Sequence, residues 1–210
     1  MIRILIADDH EIVRRGLKQI IAEHPDMIIA GEAVSGEQAL ELAVKQNFDI
    51  AIIDIAMPGR GGLDILKDLR VQRPALKIII LSMYSDEQYA IRSMRDGASA
   101  YITKANATVE LLLAIETVAL GKRYITSSVA DRLASYIEDN GSGLPHERLS
   151  NRELQVLGMI GSGRSMTEIA SQLSLSIKTV STYRARLLER MGMKSTAQLI
   201  KYAVEHQLQR

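Results

Sequence analysis

Acidic, hydroxyl and amino side chains stand at the ends of short apolar runs in this 210-residue sequence. Asp8 and Asp9 close Ile4–Ala7 in "IADDHE", and Asp54 closes Ile50–Ile53 in "IAIIDIAMPG". Ser82 follows Ile78–Leu81, and Thr103-Lys104 follows Ala100–Ile102. Adjacent carboxylates repel, and a carboxylate removed from water is costly unless something compensates it. Asp8 and Asp9 therefore either start a helix in solvent, complementing its dipole, or hold a cation. Hard oxygen ligands of this kind suit Mg²⁺, which keeps several waters and takes phosphate as a co-ligand. An Asp carboxylate beside such a cation can act as a nucleophile toward phosphorus. Lys104 would supply a point charge to phosphoryl oxygens, and Ser82 a hydroxyl. His10, next to the acids, is read as a partly exposed first-turn residue rather than a base.

That chemistry requires the run ends to converge. The runs Ile4–Ala7, Met27–Ala30, Ile50–Ile53, Ile78–Leu81 and Ala100–Ile102 lack alternation, as expected of strands buried on both faces of a parallel sheet. Helical stripes lie between them: Ile12, Leu17, Ile20 and Ile21; Ala39, Leu40, Ala43 and Val44; Leu63, Leu66 and Leu69; Tyr89, Ile91, Met94 and Ala98; Val109, Leu112, Leu113, Ile115 and Val118. A Ser85–Gln88 capping box opens the fourth. Five β–α alternations predict a doubly wound α/β domain with a five-stranded parallel sheet, whose ligands sit beyond the carboxyl ends of the strands. After about residue 121 the pattern changes. A further helix is expected over 127–138, and "DNGSGLPHE" (139–147) reads as an exposed linker. The remainder reads as four short helices, with capping boxes at Ser150–Glu153, Ser165–Glu168 and Ser195–Gln198, and a Ser176 cap.

Composition narrows the options. Hydrophobic residues make up 47% and charged residues 24%, an ordinary globular balance. With no Cys, thiol catalysis and Cys-ligated zinc are excluded, and the four scattered His residues have no metal-ligand spacing. No apolar run approaches a membrane span, and MIRILIADD lacks a signal-peptide layout. A cytoplasmic location is expected. Residues 1–143 carry a net charge of −4, and residues 144–210 carry +5. This asymmetry suggests nucleic acid as a partner of the tail, unless it is chance scatter over two solvated surfaces.

The set DD, D-x-x-MPG-x-x-G, S and Y-x-x-K resembles the receiver domain of two-component response regulators over residues 1 to about 120. The resemblance implies a flavodoxin-like strand order. It implies that Asp54 accepts a phosphoryl group from a sensor histidine kinase. It further implies that Asp8, Asp9, Asp54 and the Ala56 backbone carbonyl arrange Mg²⁺, and that Ser82 and Tyr101 report phosphorylation, with Lys104 on the phosphoryl group. "GRGG" (59–62) departs from family members that carry a bulky residue before the Gly, and Ala105 stands where others have Pro or an acid.

Residues 149–193 resemble the LuxR-type helix-turn-helix of the NarL/FixJ branch, through Arg152-Glu153, Val156-Leu157, Gly163, Glu168-Ile169-Ala170, Leu173, Ser176, Lys178-Thr179-Val180, Leu187 and Met191-Gly192. On a helix from Ile177, Val180, Leu187 and Met191 share one face, flanked by Tyr183 and Leu188. Lys178, Ser181, Thr182, Ala185 and Glu189 lie opposite, a face that fits a DNA major groove. The expected DNA contacts are Lys178, Thr179, Ser181, Thr182, Ala185 and Arg186, with Thr167 on the supporting helix and Arg184, whose stem could pack while its head reaches the backbone. The implied organisation is a receiver over 1–121, a linker over 122–147 and a DNA-binding domain over 148–210. The protein would be a phosphorylation-switched transcription regulator acting on double-stranded DNA, a homodimer when active, and not a conventional enzyme. An aspartate-nucleophile phosphatase is the rival enzyme, but the place of its second catalytic Asp holds Ala56. A phosphorylation-independent interaction switch is the second rival.

Overall fold

The computed structural model describes residues 1–83, 87–126, 129–130, 144–173 and 175–209. The chain divides into two compact units, Met1–Leu133 and Ala134–Arg210. The first alternates β1 (Ile2–Ala7), α1 (Glu11–Ala22), β2 (Met27–Ala33), α2 (Gly36–Lys45), β3 (Ile50–Asp54), α3 (Gly62–Gln72), β4 (Lys77–Ser82), α4 (Glu87–Arg95), β5 (Ala100–Thr103) and α5 (Ala107–Ala119). All strand pairs are parallel, in the order β2-β1-β3-β4-β5. This is the doubly wound order that reverses direction between β1 and β3, so a crevice opens beyond their carboxyl ends.

Strand interiors are as apolar as their runs suggest. Ile4, Leu5, Ile6, Ile50, Ala51, Ile52, Ile53, Ile78, Ile79 and Ile80 are wholly buried. Successive side chains point to opposite faces. Ile4, Ile6, Ile50, Ile52, Ile79 and Leu81 share one core cluster with Leu17 and Ile21 of α1 and Leu111, Ala114, Ile115 and Val118 of α5. The edge strand β2 differs: it is only half-buried and runs three residues beyond its expected end. Beyond α5 the chain returns to the sheet, where Tyr124 N–H donates to Ser99 O at 3.0 Å and its ring packs on the core.

Three helical stripes hold members that packing leaves exposed, among them Val44 of α2 at 44%. Ile12 is 81% exposed at the start of α1. On α5, Val109 and Leu113 are 83% and 55% exposed, and the buried face is Leu111, Ala114, Ile115 and Val118. The run "VELLLAIETVA" is apolar nearly all round, so spacing alone offers two faces and only packing selects one. The expected Ser85 capping box, most of the helix over 127–138 and the linker residues 139–143 lie outside the described residues; Val129 and Ala130 are helical.

The second unit holds a 3₁₀ turn (Pro145–Arg148) and helices α6 (Asn151–Gly161), α7 (Met166–Gln172), α8 (Ile177–Arg190) and α9 (Thr196–Glu205). Ser150 and Ser165 each accept from the N–H three residues on, while Glu153 and Glu168 return a carboxylate to the cap N–H, so both boxes are reciprocal. The third is half a box. Ser195 Oγ accepts from Gln198 N–H, but Gln198 Oε1 takes the Lys194 N–H instead. Gly163 and Gly192 end α6 and α8 at φ 75° and 64°, a left-handed conformation that costs a side chain but not glycine. Leu154, Leu157, Ile160, Ile169, Val180, Leu187 and Leu199 form the buried interior. Glu153 is 2% exposed and receives Arg190 Nη1 at 3.1 Å, which ties α6 to α8.

Candidate functional site

Four strand ends meet at one edge of the first unit. β1 delivers Asp8, fully buried, and β3 delivers Asp54, 1% exposed. Backbone pairing fixes their neighbours. Ile55 N–H donates to Leu81 O at 3.0 Å, and Lys104 N–H donates to Ser82 O at 2.7 Å, so Ser82 and Lys104 are set beside Asp54 by the sheet itself. Lys104 Nζ lies 2.6 Å from Asp8 Oδ2 and 2.9 Å from Asp54 Oδ2. One buried ammonium thus spans two buried carboxylates. Asp9 is more exposed, and the His10 ring bridges the acids, with Nδ1 2.9 Å from Asp9 Oδ1 and 3.3 Å from Asp8 Oδ1. Ser82 is buried at the end of β4, and Tyr101 is buried on β5. Ala56 is half-buried, two residues beyond Asp54.

The electrostatics of this cluster are lopsided. Burial pushes the Asp54 carboxyl above the ordinary carboxylate range; Lys104 opposes the shift and Asp8 adds to it. Burial works against the Lys104 charge too, but Asp54 and Asp8 outweigh it and hold the ammonium above its usual value. One ammonium cannot neutralise three carboxylates. Asp54 Oδ1 is buried with no hydrogen-bond partner, and Asp8, Asp9, His10 and Asp54 each offer a ligand atom within 4.8 Å of the others. An orphaned buried carboxylate oxygen in an acid-rich cleft fits a hard divalent cation.

A raised carboxyl holds its proton more tightly folded than unfolded. It therefore costs stability once pH climbs through the ordinary carboxylate range, and the cost is complete above the raised value. In metal-free buffer, the melting temperature of Asp54→Asn minus that of wild type is expected to grow from about pH 4 to neutrality. A difference that is flat or shrinks over that window contradicts the raised value.

Two residues near the acids gave no signal in the motif. Arg14 Nη1 donates to the Asp8 backbone carbonyl at 2.8 Å, from the first turns of α1. Glu37 Oε1 accepts from Arg60 N–H at 3.0 Å and fastens the loop after Asp54 to α2. Their separations in sequence carry no periodicity that would link them to Asp54. Gly61 and Gly62 both lie close against the backbone at the end of β3. A Cβ on Gly62 would lie 2.2 Å from the Asp54 carbonyl oxygen, and one on Gly61 would lie 2.7 Å from that of Ile55. Glycine lets α3 begin directly against the end of β3.

In the second unit, α8 and its C-cap bury Val180, Leu187 and Met191, and α8 exposes Lys178, Thr182, Ala185, Arg186 and Glu189. Ser181 is half-buried, and so is Thr179, whose Oγ1 lies 2.8 Å from Ser176 Oγ. Thr167 is exposed on α7. Arg184 is turned inward: Nη1 donates to Thr196 Oγ1 at 3.1 Å, and its Nε is buried without a hydrogen bond. Among the described residues, no helix is long and apolar enough to cross a membrane.

A five-stranded 2-1-3-4-5 sheet with an acid and lysine pocket at its carboxyl edge, followed by an all-helical helix-turn-helix unit, defines a response regulator. Residues 4–116 match the response regulator receiver domain, and residues 147–203 match the bacterial regulatory proteins of the luxR family. The chain belongs to the NarL/FixJ-type response regulators, in which a receiver is joined to a LuxR-type DNA-binding domain. It is 36% identical over 209 residues to the response regulator UvrY of Escherichia coli strain K12, covering 99% of this chain and 96% of that protein. It is 34% identical over 207 residues to the response regulator GacA of Pseudomonas aeruginosa, covering 98% and 97%. Its fold is similar to RcsB from Salmonella enterica serovar Typhimurium bound to promoter P1flhDC in the presence of the phosphomimetic BeF3−, with a TM-score of 0.64, 27% identity, and coverage of 96% and 97%. A further RcsB structure contains two dimers bound to two parallel DNAs. The protein is a DNA-binding transcription regulator of the two-component class.

Proposed function

We propose that Asp54 is the phosphoryl acceptor, and that its phosphorylation controls DNA binding by the C-terminal helices. The observation that carries this is the buried Asp54 carboxylate, paired to Lys104 on one oxygen and orphaned on the other. An Asp54 oxygen forms a bond to phosphorus as the donor's bond to phosphorus breaks, and the electron pair leaves with the donor. That donor is the phosphohistidine of a sensor histidine kinase. Asp8, Asp9, Asp54 and the Ala56 carbonyl would hold Mg²⁺, which neutralises phosphoryl oxygens when bound. Lys104 pairs with a phosphoryl oxygen, and Ser82 turns its hydroxyl toward the same group. Tyr101, on the neighbouring strand, follows Ser82 and reshapes the surface of α4 and α5. The aspartyl phosphate is lost by slow hydrolysis at the same site, so the protein is a switch and not a conventional enzyme.

Residues 1–121 serve as the receiver, 122–147 as a linker and 148–210 as the reader of double-stranded DNA. Lys178, Thr179, Ser181, Thr182, Ala185 and Arg186 of α8 face the DNA, with Thr167 on the supporting helix. The inward Arg184 head supports a packing role ahead of a phosphate contact. The active form is a cytoplasmic homodimer, since half-site operators mirror protein two-fold symmetry.

The receiver half is tested by incubation with a small phosphodonor and Mg²⁺. The protein should gain the mass of one phosphoryl group, on the peptide containing Asp54; a gain elsewhere, or none, contradicts the assignment. The DNA half is tested at Lys178. Lys178→Ala should weaken binding to all sequences and reduce the slope of log affinity against log salt by about 1. An unchanged slope removes Lys178 from the phosphate contacts.

A further inference from the structure

We infer that Thr182 reads DNA with its methyl group rather than its hydroxyl, against the C5-methyl of a thymine. The inference rests on the proposal that α8 enters the major groove. Both threonine hydroxyls in the first two turns of α8 are already engaged within the helix. Thr179 Oγ1 sits 2.8 Å from the N-cap Ser176 Oγ. Thr182 Oγ1 donates to the Lys178 backbone carbonyl at 3.0 Å, one turn back. Such a bond to the i−4 carbonyl holds a β-branched side chain in one rotamer. With the hydroxyl turned along the helix, the methyl is the group the exposed Thr182 offers to a partner. Ala185, one turn further on and also exposed, has only a methyl to offer.

The thymine methyl lies in the major groove and distinguishes thymine from cytosine and from uracil. Removing it from water against a protein methyl is worth about a fourfold gain in affinity. Donation by the hydroxyl to a base would require the Lys178 bond to break on binding, and acceptance from an adenine or cytosine amino group would leave that bond intact; neither reading responds to the thymine methyl.

The test uses the full chain on duplexes selected from a random pool for tight binding, with each thymine replaced in turn by deoxyuridine. Wild type should lose about fourfold affinity at one position per half-site. Thr182→Val, which keeps a methyl there, should retain that preference for thymine over uracil. Thr182→Ser, which keeps the hydroxyl and loses the methyl, should bind the thymine and uracil duplexes equally. The inference is overturned if Thr182→Ser discriminates as wild type does, if no thymine is discriminated, or if Thr182→Val loses the preference. Should no sequence be enriched and Lys178→Ala leave binding untouched, the assignment of α8 fails as well; enrichment with an intact Lys178 effect and no methyl preference overturns this inference alone.

Discussion

Asp54→Asn is expected to abolish phosphorylation while leaving the receiver folded. The asparagine has nearly the same shape and keeps a carbonyl oxygen for Lys104, which remains paired with Asp8. Its amide is not a nucleophile toward phosphorus. Stability at neutral pH should be equal to or above that of wild type, because a desolvated carboxylate has been removed from beside Asp8. Mass spectrometry after treatment with phosphodonor and Mg²⁺ should show no adduct, and a thermal melt should show a cooperative transition no lower than that of wild type. An adduct of normal yield would place the acceptor elsewhere. A large drop in melting temperature would mean that the carboxylate holds the fold together, which its orphaned oxygen argues against.

Lys104→Met is expected to have the second largest effect, and of the opposite kind. The Lys104 side chain is only 8% exposed and lies within hydrogen-bonding distance of both Asp8 and Asp54. Removing it leaves two buried carboxylates facing each other with no countercharge. Breaking a buried pair in this way costs about 3–5 kcal/mol. A divalent cation would compensate, so Mg²⁺ should raise the melting temperature of the variant much more than that of wild type. Phosphorylation should slow by about 10²–10³-fold, the usual loss when one preorganised stabiliser of developing charge is removed. Wild-type phosphorylation rates in Lys104→Met would dismiss its role at the phosphoryl group. Equal Mg²⁺ stabilisation of both proteins would separate the lysine from the metal pocket.

Much of this was legible in the residues because the chemistry sits where the fold leaves no choice. An acid or a lysine directly after an Ile-rich run marks the carboxyl end of a buried strand, and a parallel sheet brings those ends together. The α8 core of Val180, Leu187 and Met191 follows from helical periodicity, whereas the sheet order was implied by the resemblance to receiver domains. Side-chain partners outside the motif were not legible. Arg14 reaches the Asp8 carbonyl across the β1–α1 turn, and Glu37 reaches Arg60 N–H across 23 positions. Such contacts depend on how α1 and α2 pack, which no local spacing records. Spacing misplaces Val109 and Leu113 of α5 because the helix is apolar on both candidate sides, and Ile12 because an isolated exposed isoleucine costs little. Arg184 shows the same limit: near the core seam its long stem allows its head two directions, and Thr196, on another helix, selects one.

Under the proposed switch, a phosphoryl group on Asp54 governs the grip of the C-terminal helices on DNA. The direct measurement is operator affinity of the full-length protein, with and without phosphodonor and Mg²⁺, for wild type and Asp54→Asn. Coupling free energies of this kind correspond to roughly 5–150-fold in affinity, so wild type should tighten by a factor in that range and Asp54→Asn should not change. Equal tightening of both proteins, or no tightening of a wild-type protein shown to carry the phosphoryl group, would contradict it.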